Sequence, residues 1–121
     1  MQTYSNKLMY LVLAVLLVYS RLDAGDVTTK CQQVTAKSWK ELSSQWRGRE
    51  LIAFASWCSS CKEKILAAKT KPESVVFLSV FEDPSISEAA LNRLGISSPC
   101  IASDELASTF GIKSLPWNRK L

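Results

Sequence analysis

The chain is most tightly constrained between Leu51 and Lys62, where the unbroken apolar run Leu51-Ile52-Ala53-Phe54-Ala55 leads into Trp57-Cys58-Ser59-Ser60-Cys61-Lys62. A short continuous apolar run is the pattern of a strand buried on both faces in a parallel sheet. Two cysteines spaced C-x-x-C where such a strand gives way to a helix can close a small-ring disulfide. The first thiol then sits at a helix N-terminus, where the macrodipole and free N–H groups favour the thiolate. That is redox chemistry, and the flanking sequence decides whether a fold can support it.

The flanks read as alternating helices and strands. Ser38 can cap a helix running to Trp46, with Trp39, Leu42 and Trp46 on one face and Gly48 at its end. A second helix begins at Trp57-Cys58 and continues to about Lys69, with Ile65 and Leu66 facing inward, and Pro72 bars its extension. Val75 to Val80 is a second apolar, β-rich run, so strand, helix and strand make a βαβ unit with a parallel pair. Asp83-Pro84-Ser85 opens a helix over Ile86 to about Leu94, closed by Gly95. Ser98 to Ala102 is a brief extended piece, Asp104 to Phe110 a short helix closed by Gly111, and Ile112 to Trp117 is extended. Upstream, Arg21 to Thr35 is polar, with Val27-Thr28-Thr29 as a strand candidate. There is no internal repeat, low-complexity segment or interdomain linker.

The 121 residues make one domain at most, and residues 1–20 stand apart from it. Lys7 precedes an apolar run from Leu8 to Ser20 that fits a secretory h-region and falls short of the roughly 20 residues a spanning helix needs. Residues 1–20 are expected to be an export signal, with Val18-Tyr19-Ser20 at the cleavage site and Leu22-Asp23-Ala24 as second choice. An uncleaved signal that anchors the domain to the membrane is the alternative. Residues 21–37 then form an N-terminal extension and 38–121 the domain. The net charge of +4 is spread along the chain with acids between the bases, which argues for a solvated surface and against nucleic-acid binding.

Four cysteines, Cys31, Cys58, Cys61 and Cys100, in an exported chain point to an oxidising compartment. Three pairings are open, and the C-x-x-C spacing favours Cys58 with Cys61, leaving Cys31 and Cys100 bridged or free. With no histidine and one C-x-x-C rather than two, a structural zinc site is disfavoured and no metal is expected. A copper site lacks both histidine and a methionine cluster, since Met1 and Met9 lie in the signal.

In these features the chain resembles the thioredoxin superfamily, and most of all the exported thiol-disulfide oxidoreductases of the TlpA/ResA type. The matching residues are LIAFAS running into WCSSCK, the strand VVFLSV, and SSPCIASDELASTFGIKSLP, over about Trp39 to Pro116. The resemblance implies an α/β thioredoxin-like fold, a central sheet with flanking helices. It also implies that Pro116 follows a cis peptide bond and faces the cysteine pair, with Leu115 and Pro116 presenting backbone to an extended substrate. The family's C-terminal hairpin and last helix are largely missing, since five residues after Pro116 cannot form them. Self-association, a partner, or a strand from residues 26–35 would then cover the exposed sheet, and a Cys31–Cys100 bridge would staple that strand.

The roles follow from position. Cys58, first and nearer solvent, is the candidate nucleophile; Cys61, one turn on and deeper, is the candidate resolving thiol. Trp57 is expected to pack beside the pair and contact substrate, or else to serve as a core aromatic. Across C-x-x-C proteins the nucleophile pKa runs from about 3.5 to about 7, and potentials from roughly −120 to −270 mV. Ser59 and Ser60 bring hydroxyls and no imidazole, which favours reduction or isomerisation over strong oxidation. Two positions depart from the family: Ile52 replaces the buried acid of thioredoxins, and Lys64 stands where haem-linked members carry glutamate, with Glu63 one place earlier. Lys62 and Lys64 can lower the thiol pKa electrostatically or can be solvated.

The expected function is an exported, extracytoplasmic thiol-disulfide oxidoreductase acting on protein disulfides as a reductase. It would use no cofactor beyond its own pair and would be recharged by an upstream thiol donor, membrane-bound in one version. The competing expectation is a low-activity binding or assembly module with the same fold.

Overall fold

A computed structural model describes residues 29–121. The expected export signal, its expected cleavage sites and Val27-Thr28 of the strand candidate lie outside the described residues. Thr29 belongs to no strand; its Oγ1 donates to the Ile96 carbonyl at 2.5 Å, and its backbone exchanges two hydrogen bonds with the Asn92 side chain.

The described residues form five strands and four α-helices: β1 Cys31–Gln33, α1 Ala36–Ser43, β2 Glu50–Phe54, α2 Ser59–Ala68, β3 Val75–Ser79, α3 Pro84–Arg93, β4 Cys100–Ala102, α4 Asp104–Thr109 and β5 Trp117–Lys120. Short 3-10 turns at Ser44–Trp46 and Pro72–Ser74 follow α1 and precede β3. The class is α/β with a single mixed sheet in the order β1-β4-β3-β2-β5. Its first four strands are parallel, and β5 runs antiparallel to β2.

Helices lie on both faces, which is why the strands read as continuous apolar runs. Alternate side chains of one strand serve opposite cores. Ile52 and Phe54 join Phe77, Cys61, Ile65 and Leu91 under α2 and α3; Leu51 and Ala53 join Val76, Leu78, Trp39 and Leu106 under α1 and α4. Phe54 meets Phe77 edge to face, ring centroids 5.6 Å apart, the arrangement favoured by the aromatic quadrupole.

Local chemistry shifts several expected boundaries. α1 starts ahead of Ser38, because Thr35 is the cap and Ser38 closes a capping box: the Ser38 amide donates to Thr35 Oγ1 at 3.2 Å and the Thr35 amide donates to Ser38 Oγ at 2.9 Å. Residues 31–37 therefore sit within β1, α1 and the link between them. In α2, Ile65 is buried with Cys61 and Ala68, whereas Leu66 is 41% exposed and does not face inward. The helical step of about 100° per residue turns the neighbour of a buried residue away from the sheet.

Of the alternatives for the exposed sheet, a strand does form within residues 26–35, at Cys31–Gln33, but it adds to β4 at the far edge of the sheet. It leaves the β5 edge as it was. That edge carries exposed Asn118, Arg119 and Lys120, polar side chains of the kind that discourage strand addition. The tail is held to the body by Leu121, whose amide donates to the Arg49 carbonyl at 2.8 Å and whose carbonyl accepts from Gly48 at 3.1 Å. Among the described residues, no helix is long and apolar enough to cross a membrane.

Candidate active site

The cysteine pair sits where β2 hands over to α2. The Cys58 amide donates to the Ala55 carbonyl at 3.1 Å, closing the turn out of the strand. Cys58 is then the N-cap of α2, its Sγ accepting from the Cys61 amide at 3.2 Å. A helix N-terminus leaves amide donors without intrahelical partners, and here one of them is aimed at sulfur. Ser60 Oγ stands 3.5 Å from the same sulfur, and no acid occupies the first turn of the helix. Cys58 and Cys61 are disulfide-bonded, with Cα atoms 5.3 Å apart. Cys58 retains 8% exposure and Cys61 has none.

Trp57 is 64% exposed and so is not a core aromatic. Phe81 at 47% and Ile86 at 49% are also exposed, at the ends of β3 and the start of α3, on the side of the sheet from which Cys58 emerges.

Leu115–Pro116 is a cis peptide bond. The antiparallel register that pairs Ala53 with Trp117 sets Pro116 and Leu115 beside the end of β2, the end that carries Cys58. Leu115 packs against both cores, including the one that contains Cys58 and Cys61.

Glu82 is a member of this site that sequence reasoning missed. Its carboxylate accepts from the Ser56 amide at 2.8 Å and the Ser56 hydroxyl at 2.6 Å, and also from the Ser87 hydroxyl. Ser87 is linked in turn to Ser79 Oγ at 2.6 Å, with both serines buried. Phe81 has a positive φ of 61° and its amide donates to Asp104 at 2.8 Å, which turns the chain just ahead of Glu82. No sequence spacing signals this contact, because it spans two different βα turns. Ile52, where thioredoxins carry an acid, is buried in an apolar core.

The two lysines near the motif separate. Lys64 pairs with Glu50 at 3.1 Å, while Lys62 lines a groove together with Cys58. Cys31 and Cys100 stand opposite each other in the β1–β4 register and form the second disulfide, Cα atoms 4.4 Å apart. Among the described residues, no group of three or more metal-ligating side chains is placed to hold an ion.

The fold and site together define an α/β protein with a five-strand mixed sheet, flanking helices and a C-x-x-C disulfide at the end of an interior strand. Comparison with protein-family models and with curated proteins finds no match.

Proposed function

We propose that the protein is an exported thiol-disulfide oxidoreductase with a thioredoxin-like fold, reducing disulfides in other extracytoplasmic proteins. The observation that carries this reading is Cys58 as the N-cap of α2, its sulfur receiving the Cys61 amide while the residue keeps a window to solvent. A sulfur so placed is stabilised as thiolate, the nucleophilic form. The buried partner one turn away is suited to the second step rather than the first.

In the reduced protein, Cys58 thiolate attacks one sulfur of a substrate disulfide. A Cys58–substrate S–S bond forms, the substrate's own S–S bond breaks, and its departing thiolate takes a proton from solvent. Cys61 then loses its proton to solvent and attacks the Cys58 sulfur; the internal disulfide closes, the Cys58–substrate bond breaks, and the second substrate thiolate leaves and takes up a proton. The substrate gains two electrons and the pair loses two. A dithiol donor, oxidised in the reverse exchange, restores the pair. Trp57 and the Leu115–Pro116 backbone would flank the substrate chain at the reacting sulfur. TlpA/ResA-type reductases are the proteins this reading places it among.

Trapping tests the proposal. In the native compartment, Cys61→Ser is expected to accumulate mixed disulfides on Cys58 that disappear on reduction and in the Cys58→Ser/Cys61→Ser double variant. Equal exchange rates for wild type and Cys58→Ser, with no adduct on Cys61→Ser, would overturn it in favour of a binding or assembly module.

A further inference from the structure

The groove beside Cys58 carries charge that the exchange chemistry itself does not use. It is a cavity of about 290 Å³ between α2 and α3, walled by Phe54, Ile65 and Leu94, with Cys58, Lys62 and Arg93 also lining it. No carboxylate side chain lines it. The one ion pair among the described residues joins Lys64 to Glu50, so neither Lys62 nor Arg93 is neutralised by a described acid. Arg93 uses only its Nε, on the Ala89 carbonyl of its own helix at 3.4 Å.

The nearest acid is Glu82, whose carboxylate is held by Ser56, itself a lining residue, and by Ser87, and which lines the neighbouring groove at the end of β3 and β4; Glu88 accepts from the Cys31 amide at 2.8 Å, and Glu63 is outside the lining. Lys69 lies outside the lining, its ammonium end beside Gly95 just past α3. A pocket of this size is small for a cofactor and suits one or two side chains.

We infer that this groove receives the residues next to the reacting cysteine of the substrate chain, and selects protein disulfides flanked by an acidic residue and an apolar one. The inference rests on the exchange reading above and names its substrate class. Apolar walls favour burial of the aliphatic neighbour, and two unneutralised cations favour a carboxylate during encounter and in the mixed disulfide. The bonds made and broken are those already given; the groove alters how readily the first one forms.

The test uses the reduced full chain and three disulfide-linked peptides, alike except that the residue beside cysteine is Glu, Gln or Lys, with Leu on the other side. Second-order rate constants are expected in the order Glu, Gln, Lys, with about 5- to 10-fold between Glu and Gln at low salt. The preference should fade in 1 M salt, where the screening length is about 3 Å. Lys62→Gln/Arg93→Gln should bring the Glu-to-Gln ratio to one, and Lys62→Glu/Arg93→Glu should invert the preference toward Lys. Because each ratio compares two peptides on the same thiol, any change in Cys58 reactivity cancels. A ratio of one in wild type, or an unchanged ratio in both double variants, overturns the inference. Glutathione disulfide outpacing the Glu peptide would overturn the assignment to protein chains. Absence of exchange with every peptide sinks the oxidoreductase reading itself, a result distinct from exchange without charge preference.

Discussion

Ser56 and Glu82, 26 positions apart in the chain, are joined by two hydrogen bonds, one from the serine amide at 2.8 Å and one from its hydroxyl at 2.6 Å. The contact ties the β2–α2 turn to the β3–α3 turn. Cys58 follows Ser56 by two residues, so the position of its sulfur depends on a loop in the next βα unit.

Replacing Glu82 should therefore loosen the motif without removing any cysteine. Glu82→Gln keeps one acceptor oxygen and loses the other, and Glu82→Ala loses both. Hydrogen bonds to a carboxylate contribute more than neutral ones, and partial exposure here tempers that, so Glu82→Ala is expected to lower stability by about 1–2 kcal/mol. Amide hydrogen exchange at Ser56 should accelerate in both variants, and the disulfide exchange rate should fall in the order wild type, Gln, Ala. Unchanged protection at Ser56 would refute the coupling.

The Cys31–Cys100 disulfide, 69 residues apart in sequence, fastens the edge strand β1 to β4. Its loss in Cys31→Ser/Cys100→Ser should cost about 2–4 kcal/mol, since the bridge removes entropy from the unfolded chain. Urea unfolding under non-reducing conditions measures the loss. Peptide mapping of the non-reduced protein should recover both bridges, and two free thiols at these positions would remove the staple. Exchange at Cys58 should persist in the double variant, because this pair is not part of the exchange step.

Trp57, exposed beside Cys58, separates recognition from stability. Trp57→Ala should change the unfolding free energy by less than about 0.5 kcal/mol, as exposed substitutions generally do. The apparent KM for protein disulfides should rise severalfold, with a smaller effect on a small-molecule disulfide. A large drop in unfolding midpoint would show that the indole supports the fold instead.

Asp83 caps α3, its Oδ1 accepting from the Ser85 hydroxyl at 2.7 Å and the Ser85 amide at 2.9 Å. The Ser85 hydroxyl first, and then the amide, hold its carboxyl below the ordinary value of 3.8. A group whose pKa is depressed on folding contributes stability that is present above the unfolded value and is lost as pH falls through the folded one. Wild type should therefore be more stable than Asp83→Asn near neutrality, and the two should converge in strong acid. Urea midpoints across the acid range check this; a gap that persists at the lowest pH would rule out the carboxylate charge as its source.

Much of the local structure was legible because its causes are local. The apolar runs at Leu51–Ala55 and Val75–Val80 became β2 and β3, and Asp83-Pro84 opened α3. Gly48, Gly95 and Gly111 adopt positive φ at the ends of helical segments, where a residue without Cβ carries no steric penalty. The misreadings have an equally plain cause. Ser38 looked like a cap because Thr35, three residues earlier, forms the other half of the same box. Leu66 looked buried because apolar character alone does not fix a side chain's direction on a helix.

Glu82 could not have been found that way, and neither could the grouping of Trp57, Phe81 and Ile86 at one end of the sheet. The sequence by itself determined the order of elements from α1 to α4, the adjacency of Cys58 and Cys61, and the apolar strand that delivers them, because hydrophobic period, capping and turn chemistry act over a few residues. Only the tertiary structure decided that β1 joins the sheet beside β4, that Cys31 meets Cys100, that Glu82 holds Ser56, and that Lys62 and Arg93 line one groove. Those relationships depend on how strands pair and helices pack across long separations, and the free energy of packing is shared among too many contacts for any short stretch to encode.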